Sequence, residues 1–168
     1  MHKEIQLTTP NKKVGSVIIP KGIVLHDTEW FDLDGVIEIF QSEDTLASAH
    51  LLIDLDGTRY VFGEDYEKLY HAGYSIFKGR KWCNNFMLGV EFLGHTEQKP
   101  LTEDQINSFR EWVSSRFLDY DLEVSDITTH KKIRTDYINE FGDKDGIIKA
   151  KRDISDIEFK KVIDSLFV

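Results

Sequence analysis

The spacing of apolar residues in this sequence changes near residue 100, and that change limits what the chain can become. Before it, short runs rich in β-branched residues stand between Gly and Pro: VGSVIIP (14–20), GIVLHDT (22–28) and MLGVEFLG (87–94). Runs of this length and composition read as strands. AHLLIDLDGTRYVFG (49–63) reads as a hairpin around Asp56 and Gly57, a pair favoured in type I′ turns. After the change, Ile106, Phe109, Trp112, Val113 and Phe117 share one helical face within LTEDQINSFREWVSSRFLDY (101–120). Thr102 with Gln105 matches a capping box that starts this helix. Ser155 with Glu158 matches a second, opening SDIEFKKVIDSLF (155–167). FDLDGVIEIFQSE (31–43) reads as a short helix after a turn, and DITTH (126–130) as a strand ending at His130. The expectation is one α/β (mixed α+β) domain over residues 1–168, a central mixed β-sheet flanked by helices.

Composition narrows the partners. A chain of 168 residues can bury a real core as one domain, and 40 % hydrophobic with 30 % charged residues argues against disorder. The net charge of −9 opposes non-specific binding to nucleic acid or anionic lipid. No apolar run approaches the roughly 18 residues of a membrane span, and no signal-peptide pattern opens the chain, so a cytoplasmic location is expected; a monomer is expected as well. The one cysteine, Cys83, excludes an intrachain disulfide and has no clear local base to make it a nucleophile.

Several polar residues sit where they are costly. His26 ends one apolar strand and His130 ends another, 104 positions later, each near a threonine. A histidine beside apolar residues is ordinarily a hydrogen-bonded core residue, and neither belongs to a local metal motif. Strands of one sheet can nevertheless bring their ends together. A zinc site would then need a third ligand and one open position. Lys151 and Asp153 stand two apart, so on an extended segment they face one side. A solvated charge cluster is the ordinary alternative. Glu91 interrupts MLGVEFLG, where a carboxylate is expensive unless it is paired or faces a cleft or solvent. In a cleft it is a candidate general base, because partial burial raises its pKa. The DLDG stretches at 32–35 and 54–57 and DKDG at 143–146 lack the full calcium-loop pattern and read as turns. Trp82, Phe77 and Tyr74 are candidates to line a sugar or peptide groove.

ASAHLLIDLDGTRYVF, HAGYS, GRKWCNNFMLGVEFLG and the closing Lys-x-Asp occur in an order that resembles zinc-dependent N-acetylmuramoyl-L-alanine amidases of the type-2 family. That family spans phage lysozyme-type amidases, peptidoglycan recognition proteins and AmpD-like muropeptide-recycling amidases. The AmpD-like branch is the most similar, and the resemblance covers residues 22–160. It implies one zinc ion per chain held by His26, His130 and Asp153. It implies Glu91 as general base, Lys151 as oxyanion stabiliser, and His71, Ala72, Gly73, Tyr74 and Asn84 along the substrate groove. His50 would be structural or behind the ligands, and Cys83 a packing residue. The substrate implied is peptidoglycan or a muropeptide, cut between the lactyl carbonyl and L-alanine; a phage-encoded chain would reach the wall through a holin. A non-catalytic muropeptide-binding module of the same fold is the alternative. Two features depart from the family pattern: Ile154 and Ser155 follow Asp153 where Pro-Gly is usual, and the interval from His130 to Asp153 is long. Asp136, Asp143 and Asp145 are therefore further candidates for the third ligand, with Asp153 preferred for its spacing from Lys151.

Overall fold

A computed structural model describes residues 2–143, 146, 148 and 151–167. The strands are β1 (Glu4–Gln6), β2 (Lys12–Val17), β3 (Ile23–Asp27), β4 (Leu51–Ile53), β5 (Arg59–Val61), β6 (Glu67–Leu69), β7 (Ile76–Phe77), β8 (Arg80–Lys81), β9 (Leu88–Phe92) and β10 (Ile127–Thr129). The helices are α1 (Leu33–Gln41), α2 (Glu103–Tyr120), α3 (His130–Phe141) and α4 (Asp156–Ser165). One six-stranded sheet runs β1-β5-β4-β9-β3-β10. It is mixed, as the strand pattern predicts: β3 pairs parallel with β9 and β10, and β4 pairs parallel with β9 but antiparallel with β5.

The alternation of side chains along β3 and β9 decides where chemistry can occur. Ile23, Leu25, Leu88, Val90 and Phe92 face a core completed by Phe109, Trp112 and Val113 of α2 and Val162 of α4. Val24 faces the other side, against Ile133 of α3. Leu52 of β4 is on that side too, under Val36 and Phe40 of α1. His26 follows Val24 by two residues, and Glu91 is its direct neighbour in register. Both therefore open onto the face between α1 and α3. The sheet is covered by helices on both faces, which is why its central strands are apolar almost throughout.

Four expectations need correction. The strand in VGSVIIP begins at Lys12, stops at Val17 and pairs with β6 outside the main sheet, because Ile18 turns into the core. The hairpin β4–β5 does not use a two-residue turn. Asp54 bonds across to Thr58, Gly57 N–H donates to Asp54 C=O, and Gly57 takes φ 80°, giving a longer loop with its glycine in the left-handed region. His130 does not end a strand: Thr129 caps Lys132 N–H at 3.1 Å, so the chain becomes helical at His130. This helix, α3, had no counterpart in the sequence reading, since Ile133 is the only buried apolar residue along it. At α4, Ser155 caps as expected, but Glu158 turns away from it and accepts from Leu101 N–H at 3.0 Å. Of the DKDG stretch, Lys144 and Asp145 lie outside the described residues, and so does Asp145 as a candidate ligand.

Candidate metal centre

His26 at the end of β3, His130 at the start of α3 and Asp153 before α4 meet at one end of the sheet. All three are buried. Hydrogen bonds on the far side of each ring fix its tautomer. His71 Nε2 lies 3.0 Å from the Met87 carbonyl, which can only accept, so that nitrogen carries the proton. His71 Nδ1 then accepts from His26 Nε2–H at 3.3 Å. His130 Nε2–H donates to the Ala72 carbonyl at 3.1 Å. Both ligand-side Nδ1 lone pairs consequently face each other at 3.1 Å. Asp153 Oδ2 lies 2.9 Å from His26 Nδ1 and 3.4 Å from His130 Nδ1.

Three acceptor atoms this close repel unless a cation sits among them. Donors on a tetrahedral zinc with bonds of about 2.0 Å stand about 3.3 Å apart, close to the observed edges. Asp153 Oδ1 is buried without a hydrogen-bond partner, as a ligand carboxylate awaiting a metal would be. Two imidazoles and one carboxylate are the donor set of a zinc site with an open position. The residues fit the ion.

The carboxylates that would favour a metal ion here also favour a proton on His26. Burial depresses His26, but the carboxylates of Glu91 and Asp153 outweigh it and raise its pKa above the usual 6.5. Burial pulls His130 down to about 4 and holds His71 well below its usual value. Burial opposes ionisation of Asp153, yet the adjoining His130 and His26 rings hold its carboxyl far below the usual range.

Asp153 reaches the site by a route that the sequence did not announce. Ser155 N–H donates to Thr96 Oγ1 at 2.7 Å, and the Thr96 hydroxyl in turn donates to the buried carboxylate of Asp27. Asp27 also accepts from Thr96 N–H at 2.7 Å. Ile154, between Asp153 and Ser155, is fully buried in the core at φ 43°. A β-branched residue in that region costs about 1–2 kcal/mol, which the burial of its side chain offsets. Ile154 and Ser155 thus perform the anchoring at the position where Pro-Gly is usual in the family pattern. Asp136 is instead paired with Lys132 at 2.7 Å on the exposed side of α3. Asp143 accepts from Ile148 N–H at 3.2 Å and is not one of the donors gathered at the centre.

A cleft of about 570 Å³ opens over the triangle. Glu91 and Lys151 line it with His71, Ala72, Gly73 and Asn84. Glu91 Oε1 lies 3.9 Å from His26 Nδ1, and burial foremost pushes the Glu91 carboxyl up to about 7. Its Oε2 is buried with no hydrogen-bond partner. The solvent-facing alternative for Glu91 is excluded by this placement. Asn84 acts behind the wall: its Oδ1 accepts from His71 N–H at 3.1 Å and Ala72 N–H at 2.8 Å. Tyr74 lies on an adjoining hollow and not on the cleft itself. His50 is structural, accepting from Gly89 N–H at Nδ1 and donating from Nε2 to the Glu67 carbonyl, both at 3.0 Å. Cys83 is buried, and burial pushes its thiol up to about 11, which fits packing and not nucleophilic work.

Sequence reasoning missed Arg134 and the support from Asp27 and Thr96. Arg134 lines the cleft and donates from Nη2 to the Ala72 carbonyl at 3.2 Å. The available signal was its i+4 spacing from His130, legible only once α3 is known to be a helix.

Sheet and donor triangle together define a class: an α/β domain with a His-His-Asp group able to hold one metal ion. The chain belongs to the N-acetylmuramoyl-L-alanine amidase family, whose model matches residues 16–144. It is 43% identical over 76 residues to the 1,6-anhydro-N-acetylmuramyl-L-alanine amidase AmpD of Haemophilus influenzae, covering 44% of this chain and 38% of that protein. The matched stretch therefore spans well under half of that relative. Among solved structures, a selenomethionine derivative of AmpD superimposes with a TM-score of 0.71 at 19% identity, covering 96% of this chain and 95% of that one. A mutant endolysin from Bacillus subtilis gives 0.69 at 18% identity, with 99% of each chain covered. At those identities the two structures establish the fold alone. Among the described residues, no helix is long and apolar enough to cross a membrane.

Proposed function

We propose that residues 1–168 act as one amidase domain that hydrolyses the amide between the lactyl group of N-acetylmuramic acid and L-alanine, in peptidoglycan or a soluble muropeptide. One observation carries this reading: two imidazole lone pairs and a carboxylate converge at the floor of a cleft, with Glu91 beside them. His26, His130 and Asp153 would hold a zinc ion, which would supply Lewis-acid polarisation of the scissile carbonyl. Glu91 takes a proton from the attacking water as its oxygen bonds to the lactyl carbonyl carbon. The C–N bond then breaks, and Glu91 returns the proton to the departing alanine nitrogen. A carboxyl near pKa 7 suits both transfers. Lys151 offsets the negative charge developing on the carbonyl oxygen. His71, Ala72, Gly73 and Asn84 shape the wall on which the substrate rests. The chain works as a monomer in the cytoplasm, or at the wall after holin release if a phage encodes it.

The test is to measure bound zinc and muropeptide cleavage in the wild type and three variants. His26→Ala and Asp153→Ala lose metal and activity together, whereas Glu91→Ala keeps its zinc and loses turnover. Full zinc retention in Asp153→Ala would move the third ligand elsewhere. A wild type that binds muropeptide tightly without cutting it would replace the enzyme with a binding module.

A further inference from the structure

Next to the cleft lies a second hollow of about 270 Å³, and the two share Tyr70, Gly73 and Asn84 in their walls. Its distinguishing feature is aromatic. Tyr74 and Trp82 are 44% and 45% exposed, with ring centroids 5.3 Å apart. Tyr137 of α3 completes a triangle, 5.6 Å from Tyr74 and 5.9 Å from Trp82. Phe141 extends the group, 5.0 Å from Tyr137. Tyr137 and Phe141 are half-buried and back the two exposed rings, and an exposed aromatic pair of this kind marks a binding surface, since solvent exposure forfeits the free energy that burial would release.

Backbone geometry holds this cluster at the rim. Trp82 takes φ 65° and ψ 65°, a left-handed conformation that costs a bulky residue about 1–2 kcal/mol. Its N–H donates to the Ser75 carbonyl at 2.9 Å, and its carbonyl accepts from Asn85 N–H at 2.8 Å. The turn is thereby fixed, with the indole left half in solvent. Strain retained at a cleft edge is found where geometry serves binding. Two residues later, Asn84 holds the amides of His71 and Ala72, so platform and metal wall share one short segment.

We propose that Trp82 and Tyr74, backed by Tyr137, form a saccharide subsite that stacks the pyranose ring of an N-acetylhexosamine joined to the muramoyl unit in the cleft; this rests on the amidase reading above. A pyranose offers a flat C–H face to an aromatic ring and directs hydroxyl and acetamido groups outward from its edge. Asn84 and Asn85 line the same hollow and bring polar groups to meet them. The cleft mixes Arg134 and Lys151 with the acids Asp27, Glu29, Glu91 and Asp153. Among the described residues the hollow is lined by one charged side chain, Lys68, and is otherwise aromatic or neutral, which suits an uncharged ring.

Two measurements test this on the zinc-loaded protein. The first compares kcat/KM for a disaccharide muropeptide with that for the muramoyl peptide bearing the same amide and lacking the N-acetylhexosamine. Trp82→Gly removes the indole while its backbone suits the left-handed φ, and it lowers the preference for the disaccharide substrate at least tenfold. Tyr74→Ser lowers it in the same direction. An unchanged preference, whether both rates fall together or neither moves, overturns the subsite. The second titrates the β-1,4 disaccharide of N-acetylglucosamine while following the Trp82 indole N–H by NMR, assigned through Trp82→Gly. A saturable shift at Trp82, absent from the core residue Trp112, is expected; no shift at Trp82 overturns the proposal. A wild type that cleaves neither substrate defeats the amidase reading alone, and the titration still decides the platform.

Discussion

His50 and His26 are buried to the same degree, 1% exposed each, on the two sides of β9, yet they are wired in opposite ways. Both ring nitrogens of His50 engage main-chain groups, an N–H of Gly89 and a carbonyl of Glu67. Every polar interaction of the His26 ring is instead with a titratable side chain: His71, His130, Asp153 and Glu91. A ring closed by the backbone is finished as a structural element. One whose tautomer is set from behind, with its free lone pair aimed at two other acceptors, is completed by a cation. Burial and residue type alone do not separate these roles. The hydrogen-bond inventory does.

Exchanging each histidine for glutamine tests that contrast most severely. His26→Gln should reduce zinc affinity by more than the roughly 100-fold that an outer partner is worth, measured by competition with a chelating dye. His50→Gln should keep affinity within a few-fold while losing about 1–3 kcal/mol of stability in urea titrations, because Gly89 N–H or the Glu67 carbonyl loses its partner. Equal zinc loss in both variants would erase the distinction.

His71 stands between the two environments and sharpens it. His71→Gln should weaken zinc binding about 10- to 100-fold by releasing the His26 ring. Gly89→Ala should show the same defect with every histidine retained. A Cβ there would lie 2.5 Å from His71 Cγ and 2.7 Å from Nδ1, so the ring must move off its hydrogen bond. Normal zinc affinity in a folded Gly89→Ala protein would show that the ring's position does not matter.

The smallest effect is in acid. Burial lowers the His50 pKa to about 4 in the folded state, against 6.5 for an unperturbed ring. Between those values the unfolded chain binds the extra proton, so this contribution to stability is intact above pH 6.5 and is lost as the pH falls toward 4. At about 1.4 kcal/mol per pH unit, zinc-free wild type should lose about 2 kcal/mol more than His50→Gln between pH 7 and pH 5. Parallel losses in urea titrations at the two pH values would remove His50 as the cause.

Much of this molecule is legible in order along the chain. The apolar runs ending at His26 and around Glu91 mark β3 and β9, and period 2 places both polar residues on one face. The Thr102–Gln105 capping box is present, with reciprocal bonds of 3.0 and 3.1 Å. The resemblance to the amidase family supplied Asp153 through its spacing from Lys151. Helix α3 was illegible because its partners are few: Ile133 is buried, while Tyr137 and Phe141 give a stripe too weak to show a period. Ile154 in the left-handed region could not be foreseen from any propensity.

The sequence by itself determined the strands, the long helix and the inventory of imidazoles and carboxylates, because period and capping are local properties of neighbouring residues. Only the tertiary structure decided which donors converge. The partners that fix the tautomers of His26 and His130 lie 45 and 58 positions away, and the Thr96 hydroxyl that holds Ser155 lies 59 away. Contacts at such separations come from sheet order and helix packing, which no local pattern encodes. Asp153 became the third donor for the same reason: a buried isoleucine and a hydroxyl relay hold it there.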